Sequence, residues 1–126
     1  MPLLAVVAAV AAAVLHVWIF VLESLWFQRP TVYRRFGITS ESDARVVGSF
    51  AFNQGFYNLV LAIGIAIGLA LVGAGQVDAG RAIVAFACAS MVGAGVVLAL
   101  HDRALIRAAA LQITPGLVAL VAIALL

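Results

Sequence analysis

His16 and Glu23 stand out chemically, because the residues around them from Leu3 to Leu22 are otherwise apolar. A carboxyl held inside hydrocarbon is suited to carry a proton or to anchor a polar ligand, and an imidazole near it to act as hydrogen-bond partner or second acid–base group. Their seven-residue separation is almost two helical turns, so an uninterrupted α-helix puts both on one face, ~10 Å apart along the axis. A second set follows in Asn53, Gln54, Tyr57 and Asn58. Gln54 and Asn58 are four residues apart, as are Asn53 and Tyr57, which predicts one polar helix face. Gln112 and Thr114 stand just before Pro115-Gly116. Amides and a phenol orient a ligand rather than attack it. Glu23 and His16 are therefore the candidate proton carrier and acid–base group, with Asn53, Gln54, Tyr57, Asn58 and Gln112 as candidate ligand contacts.

Each of these residues also has a purely structural role open to it. Glu23 could serve only to hold the first two spans together, and His16 could be a packed, hydrogen-bonded histidine. Asn and Gln side chains commonly tie membrane helices to one another. Tyr57 could simply pack, and Thr114-Pro115 could kink the last span while Thr114 bonds a freed carbonyl. His101 and Asp102 fit a solvated turn. The convergence of several such groups says more than any one of them.

The elements that must position these residues are transmembrane helices. The chain has 126 residues, 67% of them hydrophobic and 10% charged, whereas a soluble domain carries roughly 25% charged residues. Crossing the hydrocarbon takes ~20 apolar residues. Four stretches of that kind, about 3–27, 46–73, 81–100 and 108–126, nearly exhaust the sequence. The expected architecture is an all-α, integral membrane four-helix bundle in one domain. The first stretch lacks a basic leading region and ends in Trp26, Phe27 and Arg29, which read as an interfacial anchor, so it is expected to be a retained span rather than a signal peptide.

Charge predicts the orientation. The first connection carries Arg29, Arg34, Arg35 and Arg45 and the third carries Arg103 and Arg107, leaving only Arg81 for the second. With four spans, the first and third connections share a side, which the positive-inside rule makes cytoplasmic. Both termini and the Gly75–Gly80 turn then face outward, in a plasma membrane. Within the first connection, Pro30 suits the start and Gly37 the residue past the end of a short helix. That helix is expected to lie at the cytoplasmic interface with Arg34 and Arg35 near headgroups. Ser40 and Asp43 fit a capping box opening the second span, or a chance cap on a solvated loop. On this orientation the polar side chains fall at the midplane or in the cytoplasmic half, while the outer halves are almost wholly Ala, Val, Leu, Ile and Gly. That asymmetry favours a blind, cytoplasm-facing pocket over a through-pore.

Other chemistry is thinly represented. There is no phosphate-binding glycine loop, no Cys-x-x-Cys and no His-Glu-x-x-His, and the residues name no metal site or other cofactor. Cys88 reads as a small buried packing residue. The arginines flank spans rather than forming a stripe, which argues against nucleic acid and for the lipid bilayer as the main partner. Gly64-x-x-x-Gly68 and the row Ala85, Ala89, Gly93 offer narrow faces for helix contacts, with a homo-oligomer as one possible use.

With these residues in place, the chain resembles the bacterial membrane family called domain of unknown function 1304, over nearly its whole length. The resemblance rests on Leu15-His16 followed by Glu23, on Phe36-Gly37, on the run Asn53-Gln54-Gly55-Phe56-Tyr57-Asn58, and on Gln112 ahead of Pro115. It implies a small four-span protein and supports the choice of polar residues, but it supplies no reaction. Three functions stay open: binding, or binding and conversion, of a small or lipid-like molecule; proton-coupled transport; or service as an accessory subunit of a membrane complex.

Overall fold

The computed structural model describes residues 1–125, so Leu126, the last residue of the fourth expected span, lies outside the described residues. The chain is all-helical. Helix α1 (Leu3–Phe20) runs directly into a π-helical turn (Val21–Leu25). A short helix α2 (Pro30–Tyr33) continues as a 3-10 turn (Arg34–Phe36). Then come α3 (Glu41–Gly73), α4 (Val77–His101), a 3-10 turn (Arg103–Leu105) and α5 (Ile106–Leu125). Among the described residues, four helical segments are long and apolar enough to cross a membrane: Leu3–Leu25, Glu41–Gly73, Val77–His101 and Arg103–Leu125. The four-span, all-α expectation holds, and the chain is a multi-pass membrane protein.

Local chemistry explains the boundaries. Pro30 occupies the first turn of α2 behind an extended Arg29, where its missing N–H is not needed. The helical segment closes at Gly37, whose φ of 81° is the left-handed region that favours glycine. The Gly37 N–H donates to the Arg34 carbonyl and the Ile38 N–H to the Tyr33 carbonyl, which is the Schellman pattern. Helix α3 opens at Ser40, whose Oγ accepts from the Asp43 N–H at 3.2 Å. Gly75, at φ 85°, ends α3 in the same manner as Gly37, with Gln76 N–H donating to the Leu71 carbonyl. At 33 residues, α3 is ~50 Å long, roughly 20 Å more than the hydrocarbon core. Its charged first turns, with Glu41, Asp43 and Arg45, account for the excess.

The chain forms two compact units, residues 16–60 and residues 1–15 with the residues from Leu61 onward. In the second of these, Ala8, Ala9, Ala12, Ile65, Val84, Cys88 and Met91 are part of one buried cluster. Cys88 is fully buried, the packing role its surroundings predict. Small residues set how closely the helices approach. A Cβ on Gly68 would meet the Gly80 carbonyl oxygen at 2.9 Å, and one on Gly80 would meet the Val72 nitrogen at 2.8 Å. Between α4 and α5, a Cβ on Gly116 would stand 3.2 Å from the Cys88 carbonyl oxygen. Arg81, near the start of α4, donates to the Ile123 carbonyl at 2.8 Å and so satisfies a carbonyl in the last turn of α5.

Helix α5 passes through Pro115 without ending. The Thr114 hydroxyl donates to the Ala110 carbonyl at 2.7 Å. That is one residue before the Leu111 carbonyl, which loses its i+4 donor to the proline ring.

Gly80→Val is expected to destabilise the protein by about 1–3 kcal/mol, because its side chain meets backbone that cannot yield. Gly64→Ala, where a Cβ meets nothing within 4 Å, is expected to be neutral or slightly stabilising. Midpoints of thermal unfolding in one detergent distinguish the two.

Candidate functional site

The unit of residues 16–60 is built on side chains that dock into the first half of α3. The π turn starts this. The Trp26 N–H donates to the Val21 carbonyl at 2.9 Å, a bond across five residues instead of four. Turns of this type are frequent at functional sites. Glu23 and Ser24 lie inside it. The Ser24 hydroxyl donates to the Phe52 carbonyl at 2.7 Å, and the side chain occupies the notch left by Gly55. A Cβ at Gly55 would collide with Ser24 Oγ and lie 3.1 Å from its backbone nitrogen. One notch further along α3, Gln28 reaches over Gly48 and donates to the Ala44 carbonyl at 3.1 Å. Phe27, Tyr33, Ala44 and Ala51 form the buried cluster of this unit.

Glu23 is the centre of the polar chemistry. Its Oε2 accepts from Asn58 Nδ2 at 3.1 Å. The same Nδ2 donates to the Gln54 backbone carbonyl at 3.2 Å, so both amide hydrogens of Asn58 are engaged. What the pair still offers is acceptors: the second carboxyl oxygen of Glu23 and the amide oxygen of Asn58, neither bonded among the described residues. Glu23 is half-buried and Asn58 is buried. On the same stretch of α3, Phe20 of α1 meets Phe56 edge-on, with centroids 5.1 Å apart, and Phe56 meets Phe52 at the same separation, both α3 rings being exposed.

His16 is fully buried. The two-turn spacing that aligns it with Glu23 assumes an α-helix throughout, and the wider turn from Val21 means that this spacing no longer fixes where Glu23 points. Asn53, Gln54 and Tyr57 are exposed on α3, Tyr57 by 63%, so Asn58 alone of that run meets Glu23. Gln112 belongs to the other unit and donates to the Met91 carbonyl at 3.2 Å, tying α5 to α4. Phe27, expected to face headgroups beside Trp26, is buried and packs on Phe36 with centroids 5.5 Å apart. Trp26 stays near the surface with the Arg29 guanidinium 4.3 Å from its ring centre, a cation–π contact.

Spacing in the sequence does not single out Ser24, Gln28 or Gly48, and it marks Gly55 only as part of the Asn53–Asn58 run. The signal was present: a serine directly after the buried carboxyl, and a glycine set between Gln54 and Phe56 in an otherwise bulky run. No group of three or more His, Cys, Asp or Glu side chains among the described residues could hold a metal ion.

The sequence model of the family described as "Protein of unknown function (DUF1304)" matches residues 10–124. The chain belongs to this family. Every element that builds the Glu23–Asn58 pair lies inside the matched range, so the DUF1304 region contains the whole candidate site. Neither the curated proteins nor the solved structures contain a match.

Asn58→Leu is expected to cost about 1–2 kcal/mol, since it leaves the Glu23 carboxyl without its donor. The exposed Tyr57→Phe change is expected to be nearly neutral. In a double-mutant cycle, Glu23→Leu combined with Asn58→Leu should cost less than the two single changes added together. Strict additivity of unfolding midpoints in detergent would refute the coupling.

Proposed function

We propose that this protein is an intramembrane binding protein for a small or lipid-like molecule whose polar end carries a hydrogen-bond donor, such as a hydroxyl or an amine. The supporting observation is the Glu23–Asn58 pair, in which both donors are engaged internally and acceptors are left over. Acceptors in apolar surroundings favour a ligand that brings the donor, because an unmatched polar group there is unfavourable. The phenylalanines at 20, 52 and 56 suit the apolar part of such a molecule. Asn58 positions the Glu23 carboxyl, and Ser24 in the Gly55 notch holds the turn that carries it.

Depth is consistent with this reading. Glu23 is 20 residues from Leu3, ~30 Å along a helix, which is the thickness of the hydrocarbon. The carboxyl therefore stands near the boundary with the headgroups, where an amphiphile keeps its polar end. Six of the seven arginines lie in the first and third connections, so the same reading puts this end of the protein at the cytoplasmic face of a bacterial inner membrane.

Extraction of the protein with its native lipids, followed by native mass spectrometry, tests the binding role. The wild type is expected to carry a bound amine- or hydroxyl-bearing molecule, and Glu23→Gln is expected to lose most of it while unfolding at nearly the same temperature. Equal retention by both proteins removes the proposal. A specific observation, a carboxyl within a span, also favours proton-coupled transport. Uptake into liposomes driven by a pH gradient and abolished by Glu23→Gln, without any retained ligand, would put transport in place of binding. For orientation, single cysteines at position 35 or 76 in a Cys88→Ala background report sidedness. In intact cells a membrane-impermeant maleimide is expected to label position 76 and spare position 35.

A further inference from the structure

Helices α1 and α5 leave an open trough between them, in the unit of residues 1–15 and the residues from Leu61 onward. Its volume is about 580 Å³. Ala11 and Leu15 form one wall, and Ala110, Leu111 and Pro115 the other, with Arg107 at the end nearest the start of α5. From Arg107 to Pro115 is eight residues, ~12 Å along the helix. One leaflet of a bilayer holds about 15 Å of hydrocarbon, so the trough has the length of an acyl chain running inward from a headgroup.

The polar end of the trough has one character. The Thr114 hydroxyl already donates to the Ala110 carbonyl. Among the described residues the Arg107 side chain has no hydrogen bond or ion pair, as is also true of Arg34, Arg35, Arg45 and Arg103, but of these five it is Arg107 that lines the trough; Arg81 is bonded to the Ile123 carbonyl and Arg29 lies over Trp26. An unengaged guanidinium at the mouth of an apolar channel complements a phosphate, which it can bind through two parallel N–H groups. Farther along the same two helices, Leu4 faces Leu117, Val121 and Leu125 across a second trough of about 450 Å³, lined by apolar side chains alone. That second trough suits lipid chains without regard to headgroup, and the first does not.

We propose that the trough ending at Arg107 is a binding site for one anionic phospholipid, with an acyl chain between α1 and α5 and its phosphate on the Arg107 guanidinium. This site is separate from the Glu23–Asn58 pair. That pair presents acceptors and would repel a phosphate, while Arg107 presents donors.

Native mass spectrometry of the full chain, titrated with phosphatidylglycerol or with phosphatidylcholine of the same chain length, tests the proposal. The wild type is expected to retain the anionic lipid roughly fivefold better, the preference that one arginine at a membrane surface can supply. Arg107→Gln should remove the preference. Arg103→Gln, a neighbouring cation that does not line the trough, should keep it. Ala110→Trp, which fills the channel and leaves the charge, should lower retention of the anionic lipid severalfold. Unfolding temperatures of the variants separate loss of binding from loss of fold. Equal losses from Arg103→Gln and Arg107→Gln would mean a diffuse basic collar and overturn the site. So would equal retention of the two lipids by the wild type, an Ala110→Trp protein that binds as well as wild type, or full competition by glycerol phosphate without chains. Glu23→Gln should leave the lipid preference intact, so failure here and failure of the binding role proposed for Glu23 are distinguishable.

Discussion

The Glu23 carboxyl accepts one hydrogen bond from Asn58, and much of the unit of residues 16–60 follows from the need to satisfy that group. A carboxyl within a membrane-spanning segment has few other partners. The π turn carries Glu23, the neighbouring Ser24 is seated against α3 by the Gly55 notch, and Asn58 is held in turn by the Gln54 carbonyl. Each piece is modest alone, since interhelical hydrogen bonds in membranes are worth only ~1 kcal/mol. They act together because Glu23 and Ser24 are neighbours in one short π turn and both bond to α3.

Packing elsewhere follows the same constraint in apolar form. Lipid tails are as apolar as leucine, so burying leucine between helices gains little. Close backbone approach does the work instead, at Gly68 and Gly80 between α3 and α4 and at Gly116 against Cys88. Large apolar side chains such as Phe86, Val97 and Leu100 remain on the outside, where the bilayer receives them. This reverses the arrangement of a soluble protein, in which such residues would form the core.

The spans were legible in the sequence because length and apolar content alone decide them. The helix ends were legible too, at Ser40, Pro30 and Gly37, since each depends on one local bond or dihedral. The direction of the polar side chains was much less so. A helix that is apolar on nearly every side carries no periodic mark of which face meets its neighbours. Spacing therefore grouped Asn53, Gln54, Tyr57 and Asn58, yet only Asn58 turns inward to Glu23. Phe27 looked like a headgroup anchor and is buried instead, because the chain turns at Trp26–Arg29 and folds it back onto Phe36. The π turn left no compositional trace, so the spacing from His16 to Glu23 is not that of an uninterrupted α-helix.

That turn has a consequence for how such a sequence can vary over time. Between Val21 and Trp26 the backbone closes over one residue more than an α-helix would take. What the segment constrains is therefore a count of residues. Exchanging Leu22 for another aliphatic side chain changes little, but losing a single residue would let the turn tighten to α-helical pitch, so that the residues after it keep their places while those inside it, Ser24 among them, change direction. Insertions and deletions, more than substitutions, are the changes this part of the chain is least able to absorb.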